Sequence, residues 1–458
     1  MKILFTHGYF LSSDIKEQKV MKPYPPLGIL GLSSYLKQAG FDNFVYDTTF
    51  SCKQDLRNYL TSYCPDVLAI YTNLMTKLNV LELIKFVKEN LDSIIVLGGP
   101  DVTNNYSDYI LNGADFIVIG EGEQTMLELV QHLQTTNDNE PNEIAGLVFK
   151  SKSGSVVKTL ERSKIKDIDT LPFPARDLID INKYNTIWKQ NHGLSSISIS
   201  SQRGCPFSCN WCSTAVYGQS YRRRSPKIIA DEISYLKEQY NPDTLWFVDD
   251  VFTINKKWVE EFSKEVNSRK IVTPYECITR ADCLDENTLN VLKESGAYRV
   301  WIGSESGSQK IIDAMDRRVN VKYVRDMIKL AKLKGLETGT FIMLGYPTET
   351  EEDILETILH LKDANPDFFT VTVAYPIKGT KFYEEIKDLI SIQLPWENST
   401  DRDIDFRRTF SRKYYNYATS FVTNEVNSFK NLNEQKYLSA LICKLKSKIN
   451  RGLMSFSK

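Results

Sequence analysis

At 458 residues, with 42% hydrophobic and 25% charged residues, the chain has a globular balance and length for about two to four domains. A formal net charge of −1 excludes a global field favouring nucleic acid or membrane. Eight cysteines in so long a chain exclude a disulfide scaffold, no apolar run reaches the roughly 18–20 residues of a membrane helix, and Met1-Lys2-Ile3-Leu4-Phe5 leads straight into a strand; a reducing, cytoplasmic setting is expected.

Residues 1 to about 140 alternate strand and helix. Strands are predicted at 2–6, 43–47, 67–71, 93–97 and 116–119, the third buried on both faces. Helices are predicted from Pro25-Pro26-Leu27-Gly28 to a cap at Gly40, over 77–90 and over 124–133. This period predicts a doubly wound parallel sheet, whose ligands sit beyond the strands' carboxyl ends. Two glycine turns fall there: Gly98-Gly99-Pro100 and Gly120-Glu121-Gly122-Glu123. Each is either a tight strand–helix turn or a place where a ligand approaches the backbone.

Residues 141–190 form a connector. Ser151-Lys152-Ser153-Gly154 between two short apolar runs signals a hairpin, and Leu171-Pro172-Phe173-Pro174-Ala175 is a proline-pinned turn. From 191 to about 385 the alternation resumes, with strands near 195–201, 244–248, 275–279, 299–302, 337–344 and 368–374. Six such units predict a partial parallel barrel, and polar and glycine residues cluster at the strand carboxyl ends where barrel sites form. Residues 386–458 are expected to be mainly helical. Leu438, Leu441, Ile442, Leu445 and Ile449 share a helical face with lysines between them. We expect that face to pack on the barrel, a membrane-surface helix being the alternative.

The chemistry concentrates in Cys205-Pro206-Phe207-Ser208-Cys209-Asn210-Trp211-Cys212, at the end of the first barrel strand. Three thiolates spaced C-x3-C-x2-C on a loop can hold three corners of an iron–sulfur cube and leave one iron open. Zinc is the rival, but a structural zinc site takes four ligands, usually as two close pairs. Cys52, Cys64, Cys277, Cys283 and Cys443 are scattered.

These motifs resemble the radical S-adenosylmethionine (SAM) enzymes that carry a cobalamin (B12)-binding domain, a family including methyltransferases and Mg-protoporphyrin ester cyclase-like enzymes. The resemblance rests on the cysteine loop, on Pro25-Pro26-Leu27-Gly28 and on the two glycine turns, and it spans nearly the whole chain. It implies a [4Fe-4S] cluster on Cys205, Cys209 and Cys212, with SAM chelating the open iron and yielding a 5′-deoxyadenosyl radical. It implies that Trp211 packs near adenine and that Asp249 and Asp250 lie near the methionine amino group. By the same resemblance Glu276 and Arg280 reach ribose or carboxylate, Gly303, Glu305 and Ser306 lie near the methionine end, and Gly345 and Pro347 flank adenine. It places cobalamin at Thr72, Leu74, Gly98, Gly99, Pro100, Gly120, Glu121 and Gly122. The Asp-x-His-x-x-Gly motif of many cobalamin domains is absent, so His7 is expected to be a strand-end polar residue, not a cobalt ligand.

The resemblance implies methylation of an unactivated carbon in a small molecule, lipid or peptide, with a flavodoxin or ferredoxin as electron donor and no nucleic-acid partner. A ring-forming or rearranging enzyme with the same cofactors is the alternative. A non-catalytic cobalamin- or zinc-binding sensor lies outside that class. Methylthiolation would need three cysteines before the core, where only Cys52 and Cys64 stand.

Overall fold

The computed structural model describes residues 1–135, 140–213 and 216–458. The chain divides into one compact unit of Met1–Pro206, Thr214–Leu245 and Leu394–Thr400, and a second of Phe207–Ser213, Trp246–Gln393 and Asp401–Lys458.

The first unit is built on a seven-stranded sheet in the order Asn43–Tyr46, Ile3–His7, Val67–Tyr71, Ile94–Gly98, Phe116–Val118, Leu147–Lys150, Val156–Lys158. The first five strands run parallel. Alternate side chains feed two cores, as the two-residue repeat of a strand requires. Leu68, Ile70, Ile95 and Leu97 face one side, with Leu56 and Leu60 of the helix Lys53–Tyr63 and Val80, Ile84 and Val87 of Lys77–Asn90. Val67, Ala69, Val96 and Phe116 face the other, with Ile29 and Leu36 of Leu27–Gln38 and Met126 and Leu129 of Gly122–Thr135. This is the expected doubly wound sheet, with two differences. The hairpin joins the sheet, pairing antiparallel with Phe116–Val118 and closing that edge. Leu394–Thr400 also belongs to this unit: Trp396 lies against Tyr109, with Lys77 Nζ 3.8 Å from its ring centroid.

The connector is fixed by a buried ionic triad. Glu232, on the helix Pro226–Tyr240, accepts from Arg176 Nη1 and Arg224 Nη1, both at 2.8 Å. Arg176 Nη2 donates to Ser198 O and Arg224 Nη2 to Leu171 O, each at 2.8 Å. The proline turn is thereby tied to the strand Ser196–Ile199, which leads into the cysteine loop.

The second unit carries four parallel strands in the order Phe368–Val373, Glu337–Leu344, Ala297–Glu305, Tyr275–Thr279. The helix Arg412–Asn433 packs Tyr414, Tyr415, Phe421 and Val422 against Ile342, Leu344, Ile354 and Ile358 of that unit. The last helix, Tyr437–Ser455, overturns the favoured expectation for its apolar face. It buries Ala440, Ser447 and Met454, while Leu438, Leu441, Ile442, Leu445 and Ile449 are 44–73% exposed. The small residues allow close approach to Arg412–Asn433, where Ser428 Oγ donates to Ala440 O at 2.8 Å. No helix of the described residues is long and apolar enough to cross a membrane.

Replacing Glu232 would leave two buried guanidiniums without their anion. Glu232→Ala is expected to lower unfolding free energy by about 3–5 kcal/mol, measured by urea denaturation followed by circular dichroism.

Candidate active site

Register places the carboxyl ends of three neighbouring strands side by side in the first unit, with Tyr71 opposite Gly98 and Gly98 opposite Val118. Thr72, Gly98-Gly99-Pro100 and Gly120-Glu121-Gly122 therefore share one edge. Gly99 has φ +112°, and a Cβ there would lie 2.4 Å from Thr72 O. The reason for that glycine is a backbone contact within the protein. Gly98 and Gly120 are open by contrast, since a Cβ would meet nothing nearer than 3.9 Å and 3.7 Å. Thr72 is buried, and its N–H donates to Gly98 O at 2.7 Å. Leu74 is half-buried on the turn that follows.

His7, at the end of the first strand, has both ring nitrogens engaged. Nε2 lies 2.9 Å from Asp47 Oδ1; Nδ1 lies 2.9 Å from Thr48 Oγ1 and 3.2 Å from the Tyr9 N–H. Asp47 also accepts from Tyr184 Oη at 2.6 Å. Burial works to raise the Asp47 carboxyl, but His7, Tyr184 and the Thr49 N–H outweigh it and hold its pKa low.

Glu121 is a structural anion. Its carboxylate accepts from Arg222 Nη1 at 2.7 Å, from Arg203 Nη1 at 3.1 Å and from the Ile165 N–H at 2.7 Å. Burial pushes its carboxyl up, but Arg222, the Ile165 N–H and Arg203 prevail, and the pKa is lowered. Glu123 takes the other arm of Arg203. The Gly-Glu-Gly-Glu turn thus grips the residue two places before Cys205. Arg203 and Gln202 pair antiparallel with Arg222 and Arg223, and Gly204 (φ +81°) lies against Ser220, where a Cβ would meet Oγ at 2.4 Å.

In the second unit, Cys209 sits between two guanidiniums. Arg280 Nη1 lies 3.5 Å and Arg317 Nη1 3.6 Å from its Sγ. Arg280, buried just past the strand Tyr275–Thr279, is aimed by a two-armed contact to Asp282 at 2.9 Å and lies over the Phe207 ring, 3.9 Å from its centroid. Arg317 Nη2 donates to Gly303 O at 3.1 Å and reaches Glu305 Oε1 at 3.5 Å. A Cβ at Gly303 would lie 2.4 Å from Arg317 Nη2 and 2.7 Å from Glu305 Oε1, so a side chain there would displace both of those groups. Glu305 occupies left-handed backbone (φ +63°) at a bulge in the strand Ala297–Glu305. Burial raises its carboxyl pKa, with Arg317 and Arg280 opposing. The loop is pinned by Asn210, whose N–H donates to Met315 O at 3.1 Å and whose carbonyl accepts from the Phe382 N–H at 3.0 Å. Trp211 joins an apolar cluster with Met315, Tyr346 and Phe382.

Cys209, Arg280, Gly303 and Glu305 are thus brought together, and Trp211 packs against the apolar cluster that includes Tyr346 of the Gly345-Tyr346-Pro347 turn. Asp249 is buried; Asp250 is accessible yet crowded by protein, and that desolvation, then Asp249, raises its carboxyl pKa. Ser306 is buried, with its hydroxyl 3.3 Å from Thr357 Oγ1 and accepting from the Ser308 N–H at 3.1 Å. Glu276 stands apart. It lies four residues before Arg280, ~13 Å along an extended chain, and its carboxylate accepts from Trp301 Nε1 at 2.9 Å and Arg299 Nη1 at 3.0 Å. Sequence reasoning missed Arg317, Arg203, Arg222 and Glu349. The Arg317-Arg318 pair directly after a short helix was the available signal.

Glu349 follows the Gly345 turn and is fully buried. Its Oε2 accepts from the Gly345 N–H at 2.6 Å, and its Oε1 has no partner. Burial raises its pKa to about 8; the Gly345 N–H opposes and Asp353 adds to the rise.

A parallel sheet carrying glycine turns at its carboxyl edge and a loop of three cysteines offer places for two cofactors. Residues 199–361 match the model of the Radical SAM superfamily, and residues 18–130 match the B12 binding domain. The chain is 30% identical over 389 residues to an uncharacterized methyltransferase of Pyrococcus horikoshii, covering 83% of this chain and 82% of that one. It is 29% identical over 403 residues to the anaerobic magnesium-protoporphyrin IX monomethyl ester cyclase of Rubrivivax gelatinosus, covering 86% and 71%. Its fold matches that of the radical SAM methyltransferase TsrM from Kitasatospora setae (TM-score 0.70, 17% identity, 84% and 78% covered). It also matches the cobalamin-dependent SAM radical enzyme OxsB (TM-score 0.78, 14% identity, 98% and 71% covered). The chain belongs to the cobalamin-dependent radical SAM enzymes, and its cofactors are SAM, a [4Fe-4S] cluster and cobalamin.

The residues present fit these groups. Among the described residues no disulfide occurs; Cys205 and Cys209 are half-exposed and Cys212 exposed. Cys209 Sγ lies within reach of two guanidinium donors, Arg280 and Arg317. Among the described residues no three metal-ligating side chains form a single-ion site. A cubane takes each thiolate on a different iron, so its ligands need not converge on one point. The open backbone at Gly98 and Gly120 suits a flat ligand, and the engaged His7 ring leaves no lone pair there for cobalt.

Glu349 makes stability fall with rising pH. An unfolded glutamate loses its proton near 4.5, whereas the folded one keeps it to about 8, so between these values the native state holds the extra proton. Urea unfolding of the wild type is expected to show a loss on the order of a few kcal/mol from pH 5 to pH 8. Glu349→Gln should lack most of that loss.

Proposed function

We propose that this enzyme transfers a methyl group to an unactivated carbon of a small molecule, lipid or peptide. The geometric observation that supports the cluster half of this reading is the pair of guanidiniums on Cys209 Sγ, at 3.5 Å and 3.6 Å, in a C-x3-C-x2-C loop; methyl transfer itself rests on the methyltransferase relatives. We assign Cys205, Cys209 and Cys212 to the cluster. Trp211, Asp249, Asp250, Arg280, Gly303, Glu305, Ser306, Gly345 and Pro347 are assigned to SAM. Thr72, Leu74, Gly98, Gly99, Pro100, Gly120 and Gly122 are assigned to cobalamin. Glu121 and Glu276 act as positioning residues, the first through Arg203 and the second through Arg299 and Trp301. The functional parts are residues 1–140 for cobalamin, 141–190 as connector, 191–385 for radical chemistry and 386–458 as the C-terminal region.

When bound, the cofactors supply a carbon-centred radical from reduced SAM and a transferable methyl group from cobalamin. The chain's own part is electrostatic and steric. Arg280 and Arg317 place positive charge beside Cys209 Sγ, where it would offset the negative charge of a thiolate-bound cluster. Asp250, accessible and raised in pKa, presents a carboxyl that can accept a hydrogen bond from an ammonium group. Trp211 and Tyr346 wall one side with apolar surface and keep water out. A flavodoxin- or ferredoxin-type protein is the proposed electron donor.

Methyl transfer is supported by the Pyrococcus relative, and also by a hopanoid C-3 methylase from Methylococcus capsulatus at 24% identity over 390 residues. The cyclase of Rubrivivax gelatinosus supports a second reading, ring formation without methylation. With anaerobically reconstituted enzyme, SAM labelled in its methyl group and an extract of candidate substrates, label is expected in product; 5′-deoxyadenosine without labelled product would favour the second reading. Cys205→Ala, Cys209→Ala and Cys212→Ala should each abolish 5′-deoxyadenosine release while the cobalamin absorption spectrum persists. Cleavage surviving in any of them would remove the cluster assignment.

A further inference from the structure

We propose that the C-terminal helix, Tyr437–Ser455, seats the protein on an anionic lipid surface. The helix has two faces with different work. Ala440, Ser447 and Met454, at heptad spacing, form the buried one. Leu438, Leu441, Ile442, Leu445, Ile449 and Leu453 repeat at i, i+3 and i+4 spacing on the opposite side, and Leu438 is 73% exposed. A continuous outward stripe of this kind is what a monomeric surface does not carry without a partner.

Charge decides the partner. Residues 435–458 contain Lys436, Lys444, Lys446, Lys448, Arg451 and Lys458 and no aspartate or glutamate, although the whole chain nets −1. Lys444 pairs with Glu425, Arg451 and Lys458 with Glu351, and Lys436 with Glu434. Lys446 and Lys448 have no ion pair among the described residues. On a helix of 3.6 residues per turn they lie about 80° to either side of the stripe's centre. Lysines so placed lay their methylene stems along the apolar stripe and lift their ammonium groups to the level of lipid phosphates. A second copy of the helix would bring like charges together with no acid to meet them. The same lysines keep the segment from being apolar enough to span a bilayer, so it lies in the surface plane.

The test uses the full chain with its cofactors, floated with vesicles of phosphatidylcholine plus phosphatidylglycerol and with vesicles of phosphatidylcholine alone. Binding is expected to the mixed vesicles at low salt and to weaken as salt rises. Lys446→Gln with Lys448→Gln should lower partitioning on the order of 10- to 100-fold. Leu441→Glu with Leu445→Glu should abolish it. Both positions are more than half exposed (57% and 53%), so far-ultraviolet dichroism and cofactor spectra should be unchanged. Failure to float with the mixed vesicles would overturn the proposal, as would equal binding to neutral vesicles. So would a solution dimer, seen by light scattering, that the double glutamate variant dissociates. Vesicle binding is read without turnover, so it stands or falls separately from the methyl-transfer reading.

Discussion

The first unit depends on one ionic node. Glu121 and Glu123 project from the turn after the strand Phe116–Val118 and hold Arg203, which stands two residues before Cys205. Arg222 closes the node from the facing strand. Buried carboxylates and guanidiniums are costly to desolvate, and they repay that cost only with full hydrogen bonding. Glu121 achieves this with three donors. The glycine turn at the sheet's carboxyl edge and the stem of the cysteine loop consequently share one rigid support. Tyr217, whose ring lies 5.3 Å from the Arg203 guanidinium, packs over it.

A second centre of charge organises the loop itself. Arg317 touches Cys209, Gly303 and Glu305 at once, and Arg280 is held from behind by Asp282 and by Arg317 O. The backbone is shaped around these contacts: no side chain at 303, left-handed geometry at Glu305, and a bulge between them. These are strained or size-restricted positions of the kind found where geometry serves chemistry.

Much of this architecture was legible in the sequence. Four consecutive apolar residues at Val67–Ile70 and the periodic helix over Lys77–Asn90 were legible because burial patterns are local. The helices Lys53–Tyr63 and Val102–Leu111 were not: the first has mostly polar residues between Leu56 and Leu60, and the second is interrupted by Asn104, Asn105 and Ser107. The hairpin was legible from its turn, but its pairing partner was not, because a turn fixes two strands and says nothing of a third. The same limit applies to the last helix. Spacing shows which leucines share a face; only packing shows that Ala440 and Ser447 turn inward instead. In the site, the cysteine loop and the strand ends were readable by position. Glu276 and Arg280 read alike in the sequence because one stands in the strand Tyr275–Thr279 and the other directly after it, whereas packing gives them different partners. Arg317 and Glu349 could not be read, since each acquires its role from partners distant in sequence or from burial.

The node at Arg203 also bears on how separable this cobalamin domain is. A fragment ending after the first sheet would keep Glu121 and Glu123 but lose Arg203, Arg222 and the Ile165 N–H. Its carboxyl edge would then carry two carboxylates shaped for partners that no longer exist. Transplanting residues 1–140 between enzymes would meet the same difficulty unless the recipient carried arginines in the same places. Residues 1–140 alone thus lack the donors that hold the Gly120–Glu123 turn: Arg203, Arg222 and the Ile165 N–H all come from later in the chain, within the same compact unit.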